Sequence, residues 1–233
     1  MIKENYIKRV LLIMNEAGLM DAQGNSLLGA DTTQVDRHIE GSFVDAWRQC
    51  AKVMPRAWFF NKTFFDMQKV ENLPGGTGYV VLPDDFYLLS VFRMKGWKKS
   101  VYEASIENEK TASIQSNEYT RGSTIRPIVT IANSMTDEGV KQVLNYYSLD
   151  RGLTEHLVEE AIYVPVAEPL SGKPDNYEIN VGDQVIEPLA YLSASTVFTM
   201  FEKYDIAKAL EQRAVAMFPG LQVLRGTNNT VKQ

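Results

Sequence analysis

Two histidines and one cysteine limit the chemistry open to this chain. A Ser-His-Asp triad, a Cys-His pair or a multi-histidine zinc site would have to draw on His38, His156 and Cys50, and the sequence offers no such set. The expectation is a non-enzyme with no catalytic residue, no metal and no cofactor. His38, between Arg37 and Ile39, lies one position off an apolar stripe and reads as a helix-edge histidine. His156 has Glu155, Glu159 and Glu160 nearby, which could raise its pKa or hold a cation; a solvated acidic helix accounts better for the same residues. Asp84-Asp85 follows Pro83 and could offer carboxylates to a divalent metal or a hydrolytic site. A competent oxygen site needs further ligands that Phe86, Tyr87 and Leu88 do not supply, so the pair reads as a turn and cap. Pro74-Gly75-Gly76-Thr77-Gly78 lacks the Lys-Ser/Thr pair of a phosphate loop and precedes no helix, and Ser171-Gly172-Lys173 is followed by Pro174. Both are turns.

Charge is segregated along the chain. Arg93, Lys95, Lys98 and Lys99 surround Gly96-Trp97 with no acid among them, a pattern that suits contact with phosphate or an acidic partner and equally protects an exposed strand edge. From 154 to 187 the balance reverses: Glu155, Glu159, Glu160, Glu168, Asp175, Glu178, Asp183 and Glu187 face only Lys173. Such a block is usually solvated surface. On one chain, however, the two poles could pair between neighbouring copies of an oligomer, which makes Arg93, Lys95, Trp97, Lys98, Lys99, Glu155, Glu159 and Glu160 candidate subunit or partner contacts. Trp47, Trp58, Phe59, Phe60, Phe64 and Phe65 read as packing at a helix–sheet junction.

The elements that must position these groups are legible in the hydrophobic spacing. With 233 residues, 45% of them hydrophobic, the chain can bury a substantial core. A net charge of −5 and a pI near 5.2 argue against a dedicated nucleic-acid binder. No apolar run approaches the roughly 20 residues that span a bilayer, and the first residues lack a signal-peptide pattern, so the expectation is synthesis in the cytoplasm and no membrane partner. Ile2, Tyr6, Val10, Ile13, Met14 and Ala17 predict a first helix, with Lys3, Glu4, Lys8 and Arg9 on its wet side. Val35, Ile39, Phe43, Ala46, Trp47, Cys50, Val53 and Met54 predict a second, ended by Pro55.

From Trp58 to Tyr147 the period shortens, with strands at Val80–Leu82, Leu89–Met94, Ile125–Ala132 and Val140–Tyr147. Glu103–Gly122 reads as a long polar loop and Thr154–Ile162 as a short helix. The last element reads as one helix from near Pro188 to Phe218, about 45 Å long at 1.5 Å per residue. The predicted fold class is therefore α+β: a helical bundle formed by N-terminal helices and a long C-terminal helix, with an inserted antiparallel β region. Its segments are 1–57 (N-terminal helices), 58–150 (β region), 151–185 (acidic connection) and 186–233 (long helix and tail).

A helix ending in Arg56-Ala57-Trp58-Phe59-Phe60, a strand at Lys62–Val70, and Val81-Leu82-Pro83-Asp84-Asp85-Phe86 followed by Leu88-Leu89-Ser90-Val91 together resemble the head-to-tail adaptor family of tailed phages. This family includes the tail-tubular-A proteins and the connector rings. The closing Leu189–Phe218 helix is similar in kind, and the length with the added β region suits a ring protein of a crAss-like phage. The resemblance implies a homo-oligomeric ring, commonly dodecameric, at the neck of the virion, assembled in the bacterial cytoplasm. It would bind the portal protein, extend the DNA channel without binding DNA specifically, and dock the next tail or ring protein. It also assigns Phe218, Leu221, Val223, Leu224 and Arg225 to portal docking. The alternative class is a non-catalytic carbohydrate- or protein-binding module of a virion or host surface system, with Trp97, Tyr102 and Tyr119 as exposed contacts.

Overall fold

Tyr6, Val10, Ile13 and Met14 recur at helical spacing, and in a computed structural model they form the buried face of α1 (Lys3–Glu16). The structure describes residues 1–17, 32–64, 70–136, 139–149 and 155–218. In α2 (Thr32–Val53), Val35, Ile39, Phe43, Ala46, Trp47 and Cys50 are buried as one stripe, and Phe43 meets Tyr6 edge-on at 5.5 Å. Pro55, which lacks an N–H and disfavours helix at the residue before it, follows closely. The chain divides into two units, one of residues 1–60 with 166–233 and the other of residues 61–165.

The expected bundle closed by one long C-terminal helix is not what forms. That segment folds as two helices, α4 (Asp183–Met200) and α5 (Tyr204–Ala216), with α3 (Glu109–Ser116) lying in the β unit. Three backbone features stop α4. Glu202 takes the left-handed conformation (φ 59°), its N–H reaches the Thr199 carbonyl at 3.1 Å, and Lys203 N–H reaches the Phe198 carbonyl at 2.9 Å. This is the Schellman arrangement, normally announced by glycine and here built on glutamate. At its other end α4 begins ahead of Pro188, which forfeits only its hydrogen bond to the carbonyl of exposed Gln184.

α4 packs against α1, α2 and α5 and is buried on almost every side. Its two buried serines are satisfied: Ser193 Oγ lies 2.7 Å from the Tyr6 hydroxyl, and Ser195 Oγ donates to the Ala207 carbonyl at 2.8 Å. Lys3, expected on the wet side of α1, is 5% exposed. Backbone bonds from Lys3 to Tyr177 and from Ile179 to Met1 lay 177–179 along the start of the chain. The Lys3 ammonium is thereby covered, and it meets Glu40 Oε1 and the Lys173 carbonyl, each at 2.7 Å.

The β unit contains two sheets. One has the order β1 (Lys62–Thr63), β8 (Val158–Pro165), β4 (Phe86–Met94), all antiparallel. The other has the order β2 (Val70–Leu73), β3 (Thr77–Val81), β7 (Gly139–Tyr146), β6 (Val129–Thr136), β5 (Ser105–Ile106), with only the β5–β6 pair parallel. Thr154–Ile162 was expected to add a helix; its described part enters β8 instead. The expected loop 103–122 contains β5 and a helix, α3 (Glu109–Ser116), which starts in a reciprocal cap: Asn108 Oδ1 accepts from Thr111 N–H at 2.9 Å, and Asn108 N–H donates to Thr111 Oγ1 at 2.7 Å. The core gathers Phe64, Phe86, Phe92, Trp97 and Tyr163, with Phe64 edge-on to Phe86 and Tyr163 and stacked with Phe92.

Two outcomes follow from this packing. Lys3→Ala leaves Glu40 without its covered partner and should lower unfolding stability by about 3 kcal/mol in denaturant titration. Cys50 is fully buried and burial pushes its thiol up to about 12, so the native protein should show no rapidly reacting thiol and the unfolded protein one.

Candidate functional site

The basic pole is built by the end of β4 and the turn after it. Arg93 lies opposite Glu160 in the β4–β8 register, beside a register shift, and its Nη2 meets Glu159 Oε1 at 2.8 Å. Glu160 accepts from Ser100 Oγ at 3.3 Å. Three of the candidate contacts therefore already engage one another or a neighbour within the chain. Beyond Met94 the backbone turns at Gly96 (φ 96°), and Trp97 N–H closes the turn on the Met94 carbonyl at 3.0 Å. The turn sends Trp97 inward and the lysines outward. Trp97 is 4% exposed and edge-on to Phe92 at 5.8 Å, which corrects its expected role as an exposed contact; Lys95, Lys98 and Lys99 are exposed. Tyr102 and Tyr119 are exposed as expected, and so is Glu155.

Of the residues assigned to portal docking, Phe218 is buried just beyond α5. Leu221, Val223, Leu224 and Arg225 lie outside the described residues.

The candidates for chemistry resolve into structural roles. Asp85 accepts from Lys62 Nζ and from the Tyr163 hydroxyl, each at 2.7 Å. Burial would raise its carboxyl, but these hydrogen bonds and the Lys62 charge outweigh that and hold it below the ordinary aspartate value. Asp84 pairs with Lys141 at 3.1 Å. The glycines of the Pro74–Gly78 turn also have a packing reason. A Cβ on Gly78 would fall 2.2 Å from the Tyr146 hydroxyl, and one on Gly76, at φ 73°, would fall 2.0 Å from the Leu149 carbonyl oxygen.

His156 is 6% exposed, not part of a solvated acidic helix, and its Nδ1 lies 2.7 Å from the Tyr146 hydroxyl. With the tyrosine donating, Nδ1 is the acceptor of a neutral ring, and burial lowers the histidine pKa. This pair was not visible in the sequence, where three neighbouring glutamates pointed to a wet surface. The hint available was that Val158–Val164 reads as a strand, which takes His156 to the edge of a core. His38 sits at a helix edge with its ring edge-on to Phe201 at 5.5 Å.

In the helical unit, α2, α4 and α5 border an open groove of about 400 Å³ that includes Gln49, Thr196, Thr199 and Glu211. Thr196 and Thr199 donate their hydroxyls to the Leu192 and Ser195 carbonyls, so neither hydroxyl proton is directed into the groove. Among the described residues no group of three or more His, Cys, Asp or Glu side chains is placed to hold a metal, and no helix is long and apolar enough to cross a membrane. No protein-family model matches the sequence, and no curated protein matches it either.

His156 makes a pH prediction with a defined sign. Its folded pKa is lowered from 6.5, so the unfolded chain binds the proton more readily and stability rises with pH across the window between the two values. Stability from this group should be complete above about pH 6.5 and fall as pH drops toward the folded pKa, at a slope no steeper than about 1.4 kcal/mol per pH unit. His156→Gln should flatten that slope in melts taken across the window.

Proposed function

We propose that this protein is a non-enzymatic head-to-tail connector of a tailed phage virion, a ring subunit that sits below the portal, extends the DNA channel and docks the next tail component. The observation that carries the reading is the layout around Arg56–Val91. The stretch that resembles the adaptor family starts in the helical unit and continues through β1, β3 and the Asp84–Asp85 corner into β4. Its aspartates are spent on Lys62, Tyr163 and Lys141. These roles make the Asp84–Asp85 corner part of the packing of the β unit, which suits a non-enzymatic adaptor.

In this reading the portal contact rests on Leu221, Val223, Leu224 and Arg225, because Phe218 belongs to the packed helical unit. An apolar tail beyond a helix end gains most when a partner covers it. The binding-module alternative keeps Tyr102 and Tyr119 but loses Trp97 to the core, and so ranks second.

Size-exclusion chromatography of the protein mixed with the portal of its own virion tests the proposal. Co-elution is expected, and a chain ending at Phe218 should lose at least tenfold in portal affinity while keeping its melting temperature within a few degrees. A full-length protein that stays apart from the portal at high concentration would overturn the connector reading.

A further inference from the structure

In a chain with 29 acidic residues, 87–102 and 119–136 contain none. The fold brings these two acid-free stretches together. Lys98 N–H donates to the Thr124 carbonyl at 2.8 Å, and a tight turn beside it is closed by Ser123 N–H to the Arg126 carbonyl at 3.0 Å and Arg126 N–H to Ser123 Oγ at 3.1 Å. Their cations divide into two groups. Arg93 is held by Glu159, and Arg121 donates to the Gly75 carbonyl at 2.6 Å. Lys95, Lys98, Lys99 and Arg126 are exposed and make no ion pair among the described residues. Ile125, 59% exposed, stands next to Arg126. Cations around an exposed aliphatic side chain suit a protein face better than a phosphate backbone, whose binding sites are more uniformly polar.

The chain carries the converse surface as well. Residues 174–202 contain no lysine or arginine. Glu187 within them is taken by Arg9, but Asp175, Glu178 and Asp183 are exposed and make no ion pair among the described residues. They are held in a defined strip, since 175–179 is bonded along the first residues of the chain and Asp183 opens α4.

We propose that the Lys95–Lys99 and Ser123–Arg126 turns of one copy dock on the Asp175–Asp183 strip of a second copy of this chain. The two faces differ, so the contact is heterologous: each copy offers one face to the copy ahead and the other to the copy behind, and the assembly closes into a ring or runs on as a filament. Such a contact weakens as salt screens it. It stands on charge placement, and holds whether or not the protein meets a portal.

Two charge-reversed proteins test it. Lys98→Glu with Lys99→Glu makes both faces acidic; Glu178→Lys with Asp183→Lys makes both basic. In sedimentation velocity at low salt the parent should self-associate with rising concentration, and each variant alone should do so at least tenfold more weakly. An equimolar mixture of the two should recover association, because acidic and basic faces then alternate; recovery also shows that both variants are folded. A parent that stays monomeric at every concentration and low salt overturns the proposal, as does a variant that associates like the parent. So does a mixture that fails to recover when both variants melt like the parent. If the lysine reversal leaves self-association intact but abolishes binding of a duplex DNA probe, the basic turns serve nucleic acid and the proposal is wrong.

Discussion

The pairing of β1 with β8 is the constraint on which the rest of the molecule rests. Lys62 stands opposite Tyr163 and Thr63 opposite Ile162, so the β unit begins and ends on neighbouring strands. Asp85 fastens the same point by accepting from Lys62 and Tyr163 together. Because the unit starts and finishes side by side, a helical unit can be drawn from both flanking parts of the chain and still close on itself. Phe59 bridges Val181, and Gly182 N–H reaches the Trp58 carbonyl at 2.6 Å, completing that closure on the helical side. Short, adjacent crossings of this kind are what let one folded unit interrupt another without a long entropic loop.

Charge does two jobs in this protein, and the structure separates them. Pairs such as Arg93–Glu159, Arg9–Glu187 and Lys173–Glu168 join residues that are at least a third exposed, where an ion pair contributes little to stability. Lys3–Glu40 is different: it is covered by the helical unit, and losing either partner strands a charge in the interior. What remains after these pairings is an uneven surface, with cations on the turns after β4 and before β6, and carboxylates near α4, that make no ion pair among the described residues.

Much of the fold was legible because it followed simple periods. The stripes of α1 and α2 and the alternation in β7 were readable from spacing, and apolar runs located β4 and β6, although β6 starts at Val129 rather than Ile125 and Val53, placed on the α2 stripe, is 44% exposed at the helix end. Apart from the break between α4 and α5, which is a local turn, the misses share a cause: each depended on partners distant in sequence. The break between α4 and α5 uses Glu202 where glycine is the usual marker. β8 looked helical because Glu155, Glu159 and Glu160 suggested a wet surface, whereas Val158–Pro165 is the middle strand of a sheet. Lys3 is buried by a segment far along the chain, and no local pattern could announce it. At the candidate site the basic turn was visible, but the inward rotation of Trp97 depends on the Gly96 turn and on the Phe92 ring waiting beneath it.

The central position of α4 also sets an order in time. On the ribosome α1 and α2 emerge early with apolar stripes that, among the described elements, α4 does most to cover, while the whole β unit is synthesised before α4 appears. The β unit, contiguous from 61 to 165, has all its partners at hand and can fold at once. The two N-terminal helices must wait, exposed, for a late arrival, and that interval is when non-native association or chaperone binding competes with folding. Slow or truncated synthesis past residue 165 would therefore endanger the first part of the chain more than the part just made.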